Sequence, residues 1–165
     1  MEDEIVALAT AHIESYASAA AQGRDNKAPL DQLADAYSVH YLPTWTAFML
    51  GNTKANPDRE GTKESLLYAL EHYRKHGLGT DVRKATSRVV KISATSALCF
   101  ITWRMVIPAG EESALDNGAC EDAIEFEDLY GFRAAENGLM KGGWEFVVAD
   151  QEVLAVLSRV PNIFD

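Results

Sequence analysis

Between Val82 and Pro108 the chain carries two long runs of strand character around the short connection Ser93-Ala94-Thr95-Ser96. The second run constrains the fold most. Its odd positions are Ala97, Cys99, Ile101, Trp103, Met105 and Ile107. A strand sends alternate side chains to opposite faces, so these six form one continuous core face. The even positions Leu98, Phe100, Thr102 and Val106 are also largely apolar, with Arg104 the exception. A strand that is apolar on both faces needs cover on both.

The chain before this hairpin reads as helical. Ile5, Leu8, Ala9, His12, Ile13 and Tyr16 fall on one helical face. An alanine-rich run continues that helix, and Gly23 is expected to end it as a left-handed cap. Pro29 suits the first turn of a second helix, with Leu30, Leu33, Ala34, Tyr37 and Tyr41 on its apolar side and Pro43 as its stop. Residues 44–51 predict a first strand, and residues 52–60 a polar loop. Thr62 is expected to cap a third helix whose apolar face is Leu66, Leu67, Leu70 and Tyr73. His12 lies inside an apolar stripe and reads as a packed core-edge histidine.

After the hairpin, residues 110–118 are expected to be an acidic loop, and Cys120 is expected to open the next strand. That strand alternates cleanly, with Ile124, Phe126, Asp128, Tyr130 and Phe132 on one face. The last strand places Trp144, Phe146, Val148 and Asp150 in one row, and a short helical stretch follows over 153–157. Helices segregated to one side of an antiparallel sheet make an α+β fold. Neither a repeat nor a linker divides the 165 residues, so residues 1–165 are expected to form a single domain.

The formal net charge is −10, with no basic stripe, which argues against nucleic acid and anionic membrane surfaces as partners. No apolar run approaches the roughly 20 residues of a membrane span. Two cysteines make no disulfide framework, and the acidic start is the reverse of a signal peptide, so a cytoplasmic setting is expected. His72 and His76 stand four apart on the third helix, a spacing that can grip a metal, but no third ligand is evident and no metal is expected. No glycine-rich phosphate cradle and no nucleophile motif is present, so no cofactor is expected.

Three segments carry a resemblance. They are Gly61-Thr62-Lys63-Glu64-Ser65-Leu66, Thr102-Trp103-Arg104-Met105 and Gly143-Trp144-Glu145-Phe146-Val147-Val148. With the order of elements, they resemble the superfamily of nuclear transport factor two, ketosteroid isomerase and the SnoaL-like polyketide cyclases, over nearly the whole chain. The resemblance implies a cone-shaped, barrel-like fold, with three N-terminal helices packed on a strongly bent antiparallel sheet and a pocket at the open end. It also implies a homodimer through the outer face of the sheet. The superfamily includes isomerases, cyclases, dehydratases and plain binding or assembly domains, and fold analogy does not choose between them.

Two carboxylates break apolar rows, Asp128 between Phe126 and Tyr130, and Asp150 at the end of the Trp144 row. A carboxylate facing an apolar cone is desolvated, which raises its pKa and suits it to proton transfer. Asp128 and Asp150 are therefore candidate bases, with His40, Tyr37 and Tyr41 as candidate donors or a second acid. Trp45, Phe48, Trp103, Phe126, Tyr130 and Trp144 are candidate pocket walls. Each carboxylate also has a structural reading: Asp150 as a helix cap, Asp128 turned out by a bulge or paired with Arg104. Two functions follow. One is a cofactor-independent lyase, isomerase or cyclase acting on a hydrophobic, oxygenated small molecule. The other is a non-catalytic ligand-binding or dimerisation module of the same shape.

Overall fold

The structure is a computed structural model that describes residues 3–109 and 121–165. The expectations for the acidic loop at 110–118 and for Cys120 lie outside the described residues. Four α-helices, α1 (Glu4–Ala20), α2 (Leu30–Ser38), α3 (Arg59–Lys75) and α4 (Asp150–Arg159), pack with six strands. The strands are β1 (Tyr41–Met49), β2 (Asn52–Asn56), β3 (Asp81–Lys91), β4 (Ser96–Val106), β5 (Ala123–Asn137) and β6 (Met140–Val148). They form one sheet in the order β2-β1-β6-β5-β4-β3. All neighbours are antiparallel except β1 and β6, so the sheet is mixed rather than wholly antiparallel.

The alternation on β4 is realised as read. Ala97, Cys99, Ile101, Trp103 and Met105 are buried, while the even residues from Leu98 to Arg104 are half-buried on the outer face. Helix α1 lies across the inner face and buries Ile5, Ala9, His12, Ile13 and Tyr16. Asp3 caps it by accepting from the Ile5 N–H at 3.2 Å. The His12 ring packs against Trp144 at 4.6 Å and Phe132 at 5.1 Å, in the deepest part of the core. Helix α3 begins three residues before the expected cap: Asp58 caps it by accepting from the Gly61 N–H at 2.7 Å. Thr62 is buried inside the helix and accepts from the Trp45 indole N–H at 2.7 Å.

Four details depart from the sequence reading, each for a local reason. Helix α2 stops at Ser38, before Pro43, and Tyr41 is the first residue of β1. The imidazole of His40 folds back and donates from Nδ1 to the Ala36 carbonyl at 2.9 Å, which satisfies the helix end. Residues 52–56, expected as loop, are strand β2, because Leu50-Gly51 forms a two-residue turn with positive φ at both positions (49° and 80°). That is the geometry of a tight hairpin turn, and leucine there gives no warning of it. The row Trp144, Phe146, Val148 is broken by a register shift between β5 and β6, so that Val147 and Ala149 turn inward while Phe146 and Val148 turn outward.

Gly23 is not a left-handed cap. It belongs to a short 3₁₀ turn (Ala21–Arg24), and it is glycine because the backbone of Thr80 crosses it. Thr80 Oγ1 donates to the Gly23 carbonyl at 2.8 Å, and a Cβ on residue 23 would lie 2.2 Å from the Thr80 carbonyl oxygen. Neither partner is a flexible side chain end, so the backbone itself must shift. Gly23→Ala is expected to lower stability by about 1–3 kcal/mol, seen as a drop in the thermal midpoint with an unchanged circular dichroism spectrum. A melting curve equal to that of the native chain would show that this crossing carries no strain.

Candidate functional site

The inner face of the sheet encloses a chamber of about 120 Å³, and a second chamber of about 410 Å³ lies toward β1, β2 and α3. The outer one falls within the size range of small-molecule sites. The two share the walls Tyr41, Leu66, Ala69, Tyr73, Val147 and Glu152.

Asp128 is the chemical centre of the inner chamber. It stands on β5 with its side chain on the core face, 1% exposed, opposite Ile101 of β4. The Tyr130 hydroxyl donates to its Oδ2 at 3.4 Å, and the Trp103 indole N–H donates to the Tyr130 oxygen at 3.0 Å. Its other oxygen, Oδ1, is buried and receives no N–H or O–H donor among the described residues. Arg104 does not pair with it; that guanidinium lies on the outer face with Glu121 and Glu125.

Glu152 faces Asp128 from the first turn of α4 and accepts from the Tyr73 hydroxyl at 2.8 Å. Burial raises the Asp128 carboxyl well above the ordinary carboxylate range, and the charge of Glu152 raises it further. Two facing carboxylates do not ionise together cheaply, and a proton on Asp128 has Glu152 as its acceptor.

Five tyrosines surround this pair: Tyr16, Tyr37, Tyr41, Tyr73 and Tyr130. Burial raises every one of these hydroxyls above its ordinary value, so they remain protonated donors. Tyr16 and Tyr41 share one hydrogen bond at 2.7 Å. Two hydroxyls with one bond between them leave one O–H for another acceptor.

Of the residues singled out in the sequence, Asp128, Tyr37, Tyr41, Trp103, Phe126 and Tyr130 line the inner chamber, and Trp45 lines the outer one. Four do not reach either chamber. Trp144 is fully buried under α1. Phe48 is on the outer face, 39% exposed, beside Phe146. His40 is closed into structure: besides its bond to Ala36, its Nε2 accepts from Ser15 Oγ at 2.9 Å, and its carbonyl accepts from His12 Nε2 at 2.9 Å. Burial lowers both imidazoles, that of His12 to about 4, so neither is charged near neutrality. Asp150 starts α4 and accepts from the Leu50 N–H at 2.6 Å, clamping the positive-φ turn between β1 and β2.

Glu152, Tyr16 and Tyr73 are the site residues that the sequence reading missed. The two tyrosines were visible only as members of apolar helix faces. Glu152 lay outside the helix expected at 153–157. Extending that helix to Asp150 puts Glu152 one turn before the buried Val156, and a carboxylate in that position is the signal. His72 donates from Nδ1 to the Tyr68 carbonyl at 2.8 Å. Among the described residues no group of three or more His, Cys, Asp or Glu is placed to hold a metal ion. No helix among them is long and apolar enough to cross a membrane.

No protein-family model matches the chain, and no curated protein matches it. Solved structures do. A ketosteroid isomerase-like protein from Erwinia carotovora atroseptica SCRI1043 superposes with a TM-score of 0.58 at 16% identity, over 89% of this chain and 95% of that one. An NTF-2 like protein of unknown function from Shewanella oneidensis MR-1 gives 0.56 at 12% identity, over 87% and 96%. A domain of unknown function with a cystatin-like fold from Nostoc punctiforme PCC 73102 gives 0.57 at 10% identity, over 98% and 88%. The chain has the fold of the nuclear transport factor two-like and ketosteroid isomerase-like proteins.

Proposed function

We propose that the chain is a cofactor-independent acid–base enzyme, an isomerase, lyase or cyclase that moves a proton on a hydrophobic, oxygenated small molecule. One observation carries the reading. A fully buried carboxyl, Asp128, whose Oδ1 receives no N–H or O–H donor among the described residues, faces a second carboxyl, Glu152, inside an aromatic chamber. A buried carboxyl with an incomplete set of donors is unfavourable, and a structural role alone gives no reason to keep one facing a second carboxyl.

In this reading the two carboxyls share one proton, and the chemistry follows from it. The ionised member of the pair takes a proton from a carbon next to a carbonyl, and the C–H electrons move into an enolate. The free hydroxyl of the Tyr16–Tyr41 pair donates to the enolate oxygen as its charge grows. The protonated member then returns a proton to carbon, at a second position for an isomerisation. Tyr73 and Tyr130 position the two carboxyls. Burial moves Asp128 upward from the ordinary carboxylate range, the direction that suits a carboxyl to general acid–base work.

We also propose that the protein is a homodimer through the outer face of the sheet. Two cross-strand rows run over that face: Phe48, Val148, Leu129 and Phe100, and beside them Phe146, Gly131, Leu98 and Val90. Arg88 lies over the Phe100 ring at 4.0 Å. Such a continuous apolar band is the surface that a second copy would cover.

Three outcomes are expected. In deuterated water, a panel of hydrophobic cyclic ketones should exchange α-hydrogens in the presence of the protein, followed by NMR. Asp128→Asn should slow that exchange by about 10²–10⁴-fold without loss of fold. Binding of a ketone without any exchange would favour the binding-module reading instead.

The second outcome concerns pH. Asp128 titrates higher in the folded chain than its ordinary 3.8. Between those two values the folded chain holds a proton that the unfolded chain has released, so stability falls as pH rises through that window. Asp128→Asn removes this fall, and its melting temperature should gain on that of the native chain as pH rises above about 4. A constant difference would mean that Asp128 is not raised.

Third, light scattering at micromolar concentration should give twice the 18.1 kDa chain mass. Leu129→Arg should give the monomer. A native monomer would count against the interface.

A further inference from the structure

We propose that the outer chamber binds the anionic end of an amphiphilic substrate, with Lys54 as the residue that selects a carboxylate-bearing hydrophobic molecule. The inference rests on the small-molecule reading of the site and names its substrate class. Strand β2 alternates, and its register with β1 pairs Asn52 with Met49, Lys54 with Ala47 and Asn56 with Trp45. All six side chains line the outer chamber. The Lys54 ammonium crosses the chamber edge and donates to Ser65 Oγ of α3 at 2.8 Å, and Ser65 Oγ donates to Asn56 Oδ1 at 2.9 Å. An ammonium has three N–H donors, so two remain for a ligand.

The charges give the chamber a direction. Lys54 is its cationic wall residue and Glu152 its anionic one. Glu152 also lines the inner chamber, where the Asp128 pair is, whereas Lys54 lines only the outer one. In a chain with 25 acidic and 15 basic residues, Lys54 takes part in none of the ion pairs found among the described residues. A ligand anion has no competing carboxylate to displace there. It is repelled from the Glu152 end and attracted to the Lys54 end, and its uncharged reacting part is directed inward. Trp45, Tyr68 and Phe164, with Met49, also line the chamber and offer a surface for a ring system.

The test is calorimetric titration of the full chain with 2-naphthoate and with its uncharged methyl ester. The native chain should bind the carboxylate about tenfold tighter than the ester. Lys54→Met should reduce that advantage to about twofold or less, while ester binding stays unchanged. Lys54→Arg should keep the advantage, and so should Asp128→Asn, because the inner pair is not what reads the anion. Lys54 is exposed, and a thermal melt shows that its variants fold. Equal affinity for acid and ester, no binding of 2-naphthoate, or an advantage that survives Lys54→Met would overturn the proposal. A Lys54-dependent preference stands even where no α-hydrogen exchange is seen; that result bears on the acid–base reading alone.

Discussion

One extra residue in β6 determines how the open side of the cone is built. Phe132 pairs with Trp144, but the adjacent Gly131 pairs with Phe146, so Glu145 is left over as a bulge. A one-residue insertion reverses the facing of every residue beyond it. Trp144 therefore enters the core under α1, and Val147 and Ala149, rather than Phe146 and Val148, face the chambers. The bulge needs Gly131, because the Phe146 ring lies across it and a Cβ there would come within 2.2 Å of the ring. The shift carries through to α4. Asp150 is released from the inner row to hold the Leu50 turn, and Glu152 arrives opposite Asp128.

The carboxyl pair works against the stability of the fold that contains it. A buried carboxyl without a full set of donors is unfavourable, and the two acids repel when both are charged. Among the described residues no cation pairs with either carboxyl. The arginines near the site, Arg83 and Arg104, are engaged on the outside with Asp81, Glu121 and Glu125. Instead the chain surrounds the pair with tyrosine hydroxyls, which donate hydrogen bonds but do not neutralise charge. A guanidinium at Oδ1 would have fixed Asp128 as an inert anion. Hydroxyls leave the carboxyl without a counter-charge, as the acid–base role proposed above requires.

The fold was legible in the sequence wherever the pattern was long and regular. The alternating face of β4, the apolar stripe of α1 and the alternation of β5 each run through several side chains, and each gave the correct facing, Asp128 included. What was not legible depended on single residues. Leu50 takes a positive φ that sequence seldom assigns to leucine, so the pattern predicts a loop where β2 runs. The bulge at Glu145 interrupts an apolar row without changing its composition, so Asp150 was placed on the wrong face. His40 looked like a donor beside two tyrosines. Its ring serves the end of α2, a demand set by backbone groups and not by any side-chain pattern. Glu152 was missed because the start of α4 depends on where the bulge puts it.

The same strands serve the two faces by alternate residues, and this keeps the two roles of the sheet separable. Asp128 points into the chamber and its neighbour Leu129 points to the outer row; Trp103 lines the chamber and Thr102 faces out. A change on one face leaves the other face's side chains in place, since backbone pairing across β4 and β5 is continuous from Ser96–Arg133 to Val106–Ala123. The bent sheet can thus present an apolar outer band without exposing the acid pair to water. Covering that band would stiffen the strand that carries Asp128, which links an assembled outer face to a positioned carboxyl through one backbone.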